Sequence, residues 1–153
     1  MGFLDFKHKG YMPLIVMDVD TCICARLRRA TRSITKLYDD ALKGGGVNAT
    51  QFTQLYAIAT IESPTLVQLS YETCLDRSTL GRNIRVLVKM GLVSMDSGSD
   101  ERTKVVHLTS KGVTVFEESK PLWVSAQRQV AGVLGEIGRQ HLFELLNSVE
   151  GIK

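Results

Sequence analysis

Cysteine is scarce and odd in number. Cys22, Cys24 and Cys74 are the only three in 153 residues, which excludes a disulfide-stapled secreted scaffold. Long hydrophobic runs are missing as well. The longest near the N-terminus, residues 12–17, falls far short of the roughly 20 apolar residues that span a bilayer, and it lacks a signal peptide's basic start and cleavage pattern. A cytoplasmic protein is therefore expected. No strong charge of one sign is present: the net charge is +3, which permits a nucleic-acid partner without requiring one. There are no internal repeats or low-complexity tracts. Residues 1–16 match no periodic pattern, and Met17 is an alternative start.

Catalytic and metal-binding patterns are absent too. His8, His107 and His141 are scattered, with no cysteine or carboxylate at ligand spacing, so no metal and no cofactor is expected. There is no phosphate loop, no Ser-His-Asp logic and no pair of carboxylates at a plausible cleft. The sequence does not read as an enzyme.

Charge is unevenly distributed. Residues 20–43 carry six basic side chains (Arg26, Arg28, Arg29, Arg32, Lys36, Lys43) against Asp20, Asp39 and Asp40. Residues 76–104 carry six (Arg77, Arg82, Arg85, Lys89, Arg102, Lys104) against Asp76, Asp96, Asp100 and Glu101. Residues 105–153 are balanced at five and five. One part of the chain is suited to face phosphate and another is not.

The hydrophobic pattern predicts mostly helix. Asp20 or Thr21 caps a first helix with apolar positions Ile23, Leu27, Ala30, Ile34, Leu37, Tyr38 and Ala41, ended by the glycines 44–46. Asn48, with Gln51 three residues on, opens a second helix as a capping box. Ser63-Pro64 breaks the chain, and a short helix spans residues 65–73. Asp76 caps the next, whose expected buried stripe is Leu80, Ile84, Leu87 and Val88, closed by Gly91. Residues 92–95 and 105–108 read as two strands of a hairpin. Thr109 caps a long helix expected to kink at Pro121. The glycines at 132 and 135 interrupt, and a last helix shows Leu142, Leu145, Leu146 and Val149 on one face.

Short helix, tight turn, second helix and hairpin make a winged helix-turn-helix. The expected fold is mainly α with a small β-hairpin wing, flanked by N- and C-terminal dimerisation helices. Residues 1–19 form an extension, 20–47 a dimerisation helix, 48–112 the DNA-binding domain and 113–153 the C-terminal dimerisation helices. Opposite the buried stripe, Ser78, Arg82, Arg85 and Lys89 face outward, with Thr79 and Asn83 beside them. Such a face suits a helix entering the major groove. Arg82 and Asn83 are the candidates for base contacts, because arginine favours guanine and asparagine adenine. Arg85 and Lys89 lie further along and suit phosphates, while Ser78 and Thr79 suit either role. At the hairpin tip, Arg102 is placed to reach a minor groove, and Asp100 to hold it by an ion pair. An ordinary solvated amphipathic face is the alternative reading of the helix.

The run Asp100-Glu101-Arg102-Thr103-Lys104-Val105-Val106-His107-Leu108-Thr109-Ser110-Lys111-Gly112 resembles the wing of the MarR (multiple antibiotic resistance regulator) family. Asp76-Arg77-Ser78-Thr79-Leu80, then Arg82-Asn83 and Gly91-Leu92-Val93, is similar to that family's recognition helix and its exit. Asn48-x-x-Gln51-Phe52 resembles the start of its second helix. Gly81 and Val86 depart from the pattern, where relatives often carry Thr and Pro. Arg77 and Lys104, inside the same motifs, complete the expected DNA-binding set. The resemblance implies a homodimer on double-stranded, pseudo-palindromic DNA, acting as a repressor released by a small, often aromatic, effector. Tyr38, Tyr56 and Trp123 are candidates to line such a site, with a place in the core as the alternative for each.

Some relatives in that family sense oxidants through a cysteine near the dimer interface. Cys22 and Cys24 open the first helix, where thiolates are favoured, and Arg26 is one turn from Cys22. A thiol switch is thus the competing expectation, and inert structural residues the alternative. Cys74, in the turn before the recognition helix, is expected to be buried. A winged-helix protein-interaction module without DNA binding is a further alternative, disfavoured by the exposed arginines.

Overall fold

The computed structural model describes residues 20–97 and 103–152. The element order is α1 (Ile23–Leu42), a 3-10 turn (Lys43–Gly45), α2 (Ala49–Thr60), α3 (Leu66–Glu72), α4 (Arg77–Lys89), β1 (Val93–Ser97), β2 (Lys104–Leu108) and α5 (Ser110–Glu150). The chain divides into two contact units, one up to Ser33 and the other from Ile34. Among the described residues, no helix is long and apolar enough to cross a membrane.

In the first unit, the described part of α1 is almost entirely exposed, with only Ala25 and Leu27 half-buried. Arg29 lies 3.4 Å from the Asp20 carboxylate.

The second unit is built from capped helices around one core. Gly46 ends the 3-10 turn at φ 74°, a left-handed conformation that glycine adopts without a Cβ penalty. Asn48 then starts α2 through a reciprocal box. Its Oδ1 accepts from the Gln51 backbone N–H at 2.9 Å, and its own N–H donates to Gln51 Oε1 at 2.9 Å. Thr65 and Gln68 repeat the device at the start of α3. Two boxes of one design fix two helix starts, of which the first was expected.

Leu42, Val47, Phe52, Leu55, Ile58, Leu69, Leu80, Ile84, Leu87, Leu92, Val93, Val106 and Phe116 form the core. Val88 does not join it: the residue is 40% exposed, and Leu80, Ile84 and Leu87 alone make the buried stripe of α4. The stripe is narrower than the expected four because α4 packs on α3 and β1, and Val88 lies outside what they cover. Gln54 is also buried, at 1% exposure, and neither side-chain amide atom meets a hydrogen-bond partner among the described residues.

The hairpin pairs Val93 with Leu108, Met95 with Val106 and Ser97 with Lys104 in antiparallel register. A third segment leans on it. Val106 N–H donates to Pro64 O at 2.9 Å, and Thr65 bridges to Val105, so the loop before α3 edges the wing.

The last helix breaks at Gly135 (φ 65°, ψ 172°) into limbs of residues 110–134 and 136–150, and the backbone stays helical through Pro121. The interruption expected at glycines 132 and 135 thus falls at Gly135, while Pro121 keeps helical dihedrals. Proline removes one N–H, yet its fixed φ near −65° is itself helical. The Gly135 dihedrals belong to a region open essentially to glycine alone. Beyond Ala126 no described residue is buried, and Val133, Ile137, Phe143, Leu145 and Val149 are exposed. Of the apolar stripe expected on the last limb, Leu145 and Val149 are exposed and Leu142 and Leu146 half-buried among the described residues.

Candidate nucleic-acid interface

The N-terminus of α4 is held by a dense set of polar bonds. Asp76 Oδ1 accepts from Ser78 N–H at 3.0 Å, Thr79 N–H at 2.9 Å and Ser78 Oγ at 2.6 Å. These bonds, the Ser78 hydroxyl first, hold the Asp76 carboxyl well below the usual carboxylate range. The cap is thus complete while Asp76 is ionised. Its stabilising effect is present above the ordinary carboxylate pKa near 4 and is lost as pH falls toward the depressed one.

From this anchored end, α4 turns Arg77, Ser78, Arg82, Arg85 and Lys89 outward, all exposed, with Thr79 and Asn83 half-buried at the margin. Arg82 Nη2 donates to Thr79 Oγ1 at 3.3 Å, which limits the wandering of its guanidinium. Val86 stands exposed on the same face, at 46%. At the other end, Lys111 Nζ donates to Met90 O at 2.8 Å and Thr109 Oγ1 to Gly91 O at 2.7 Å. The start of α5 therefore clamps the exit of α4. Asp100 and Arg102 lie outside the described residues. Lys104, on β2, is exposed and donates to Ser97 Oγ at 3.2 Å.

Two features were not visible in the sequence. Cys74 is exposed in a left-handed backbone (φ 51°) rather than buried as expected. The tight turn into α4 directs it outward. His107 joins the wing to the loop before α3: its Nδ1 lies 3.5 Å from Ser63 Oγ and its Nε2 3.7 Å from Asp96 Oδ2. Serine, imidazole and carboxylate stand in line there, yet both spacings exceed the 2.6–3.2 Å that proton transfer calls for. Their sequence separation offered no signal, since only the register of the hairpin brings them together.

The aromatic candidates divide. Tyr56 and Trp123, with Phe52, Thr53, Lys120 and Val124, line an open cavity of about 580 Å³. Tyr38 is not among its lining residues; it is half-buried, and burial pushes its hydroxyl pKa up. Trp123 stacks on Phe52 with centroids 6.0 Å apart, and Phe116 backs both Phe52 and Tyr56. The rings are core on one side and cavity wall on the other. Lys120 supplies the cation at the rim, 2.6 Å from Glu117 and 4.7 Å from the Phe116 centroid. Its place at i−3 from Trp123 was the available sequence signal.

In the first unit, Cys22 and Cys24 are free and exposed. They border a surface depression together with Ala25, Arg28, Arg29 and Arg32.

A helix-turn-helix with an edged wing and a basic, capped second helix defines a transcriptional regulator of the winged-helix class. No family model matches the chain. Solved structures do. It is 34% identical to the M. tuberculosis transcriptional regulator MosR in complex with DNA, covering 84% of this chain and 96% of that one at a TM-score of 0.75. A mutant MarR from E. coli complexed with operator DNA aligns at 24% identity and TM-score 0.76, covering 81% and 90%. Bordetella bronchiseptica BpsR, described for regulation of its DNA binding by 6-hydroxynicotinic acid, aligns at 23% and 0.79, covering 88% and 96%. The chain belongs to the MarR family of transcriptional regulators.

Proposed function

We propose that this protein is a homodimeric repressor that places α4 of each subunit in successive major grooves of a pseudo-palindromic operator. The outward basic face of α4 carries the reading. Arg82 and Asn83 meet base edges, Arg85 and Lys89 meet phosphates, and Arg77, Ser78 and Thr79 seat the helix end. The wing adds Lys104, together with Arg102 and Asp100. Residues 20–47 and 113–153 form the dimerisation part and 48–112 the DNA-binding part, after an extension of residues 1–19. The uncovered apolar stripe beyond Ala126 supports a second copy as its cover. The cavity beside Trp123, apolar with Lys120 at its rim, suits a small aromatic anion whose binding releases DNA.

A gel shift with DNA from upstream of the protein's own gene tests this. Arg82→Ala is expected to weaken binding about tenfold or more at the selected site, since a bidentate arginine–guanine contact contributes roughly 1–3 kcal/mol of discrimination. Binding that is the same in wild type and in Arg82→Ala counts against α4 as the reading helix.

One observation favours a second switch. Cys22 and Cys24 are exposed beside Arg28, Arg29 and Arg32 and so are accessible to an oxidant. Oxidation joining thiols of two subunits would then release DNA. Peroxide is expected to abolish the gel shift of wild type and to spare that of Cys22→Ser. Equal affinity before and after peroxide in both proteins removes the thiol mechanism.

A further inference from the structure

Ser78 has only lone pairs to offer outward. A hydroxyl carries one proton and two acceptor sites. At Ser78 the proton is committed: Oγ donates to Asp76 Oδ1 at 2.6 Å, the short distance of a charge-assisted bond. Asp76 cannot reverse the polarity, because an ionised carboxylate only accepts, and the bonds it receives, the Ser78 hydroxyl first and then those from Thr79, keep it ionised. The side chain is exposed on the first turn of α4, the part of such a helix that meets base edges.

Acceptor-only character sorts the possible partners. A phosphate oxygen has no proton to give. Guanine O6 and N7 and thymine O4 have none either. The major-groove groups that donate are the amino groups of adenine N6 and cytosine N4. Thr79 is half-buried at the margin of that face, and one of the two acceptor sites of its Oγ1 is already used in orienting the Arg82 guanidinium.

We infer that Ser78 is a specificity-determining residue that accepts from an adenine or cytosine amino group on the strand it faces. Asp76 is its positioning residue, which fixes the direction of the hydroxyl. This deepens the reading of α4 as the DNA-contacting helix and rests on it.

The test is selection of binding sites from a randomised duplex pool by the full chain, in wild type, Ser78→Ala and Asp76→Asn. Wild type is expected to enrich a two-fold motif containing one position per half-site restricted to A or C on one strand, preferred about tenfold. In Ser78→Ala that position alone becomes indifferent, while the rest of the motif persists. In Asp76→Asn the side-chain oxygen still accepts all three bonds, so the Ser78 proton stays committed and the same position keeps its restriction to A or C; admission of G or T there would show that the Asp76 oxygen does not set the direction of the hydroxyl. Thermal melts followed by circular dichroism confirm that both variants are folded. The inference is overturned if Ser78→Ala leaves every position unchanged, relaxes a G or T position, or weakens all sequences evenly as loss of a mere cap or phosphate anchor would. A folded wild type that enriches no motif overturns the DNA-binding reading itself, and Ser78 falls with it.

Discussion

Gly112→Ala is expected to be the most damaging single-methyl change in the described chain. Gly112 is buried on the first turn of α5, and a Cβ there would lie 1.9 Å from the carbonyl oxygen of Leu92 and 2.9 Å from its carbon. These are backbone atoms, so no rotamer change relieves the clash. Alanine is the better helix former by about 1 kcal/mol, which at an open site would stabilise. Here the overlap wins, because forcing packed backbone apart costs about 3 kcal/mol, the upper end of the overpacking range. The melting temperature should drop by roughly 6–12 °C for a domain of this size. Gly81→Ala is the matched control: nothing but the far end of Arg85, 3.9 Å away, meets its Cβ, and it should melt at or above wild type. A Gly112→Ala protein as stable as wild type would mean that the clamp between α5 and the exit of α4 does not exist as described. Since Thr109 and Lys111 make the other bonds of that clamp, the substitution should also loosen the placement of α4 and weaken DNA binding in the proteins that remain folded.

The second large effect is on salt. If α4 and the wing of two subunits neutralise about 6–10 phosphates, affinity should fall by roughly 10³–10⁵ between 50 and 200 mM salt. Each phosphate contact adds about 0.9 to the slope of log affinity against log salt, and a dimer makes each contact twice. Arg85→Ala and Lys89→Ala should therefore each reduce the slope by about 2 and weaken all sequences alike, leaving the selected motif unchanged. Fluorescence anisotropy with a labelled duplex over that salt range measures both quantities. Slopes identical to wild type in the two variants would remove Arg85 and Lys89 from the phosphate set, and a flat wild-type curve would argue against phosphate-dominated binding altogether. Asp76 acts in the opposite sense on acidification. Protonating it removes the acceptor that gathers Ser78 and Thr79, so the α4 cap should fail as pH falls below the ordinary carboxylate range.

Helix starts were the most legible features, because a cap is written within four residues. Asn48 with Gln51, Asp76 with Ser78 and Thr79, and Thr109 with Gly112 bond as their spacing indicates. Hairpin ends moved by one or two residues, since a strand is defined by its partner and not by itself. The basic face of α4 was legible for the same reason as the caps: 3.6-residue periodicity is local. Val88 was misplaced because burial depends on what packs opposite, and nothing in the sequence gives the width of the groove that α3 and β1 offer. Pro121 and Gly135 were both candidate breaks. The interruption expected at the glycines is the one the dihedrals show, at Gly135, because glycine permits a conformation that other residues cannot hold.

The sequence by itself determined that this is a helical protein with one hairpin, where α2, α4 and α5 begin, and which cationic side chains share a face; α1 begins at Ile23, later than a cap at Asp20 or Thr21 implies. Those properties come from backbone bonding and periodicity within a few residues. Only the tertiary structure decided that Gly112 touches Leu92, that His107 lies between Ser63 and Asp96, and that Tyr56 and Trp123 share a cavity with Lys120 while Tyr38 does not. Each of those contacts joins residues more than ten positions apart, and their geometry is set by how the elements pack.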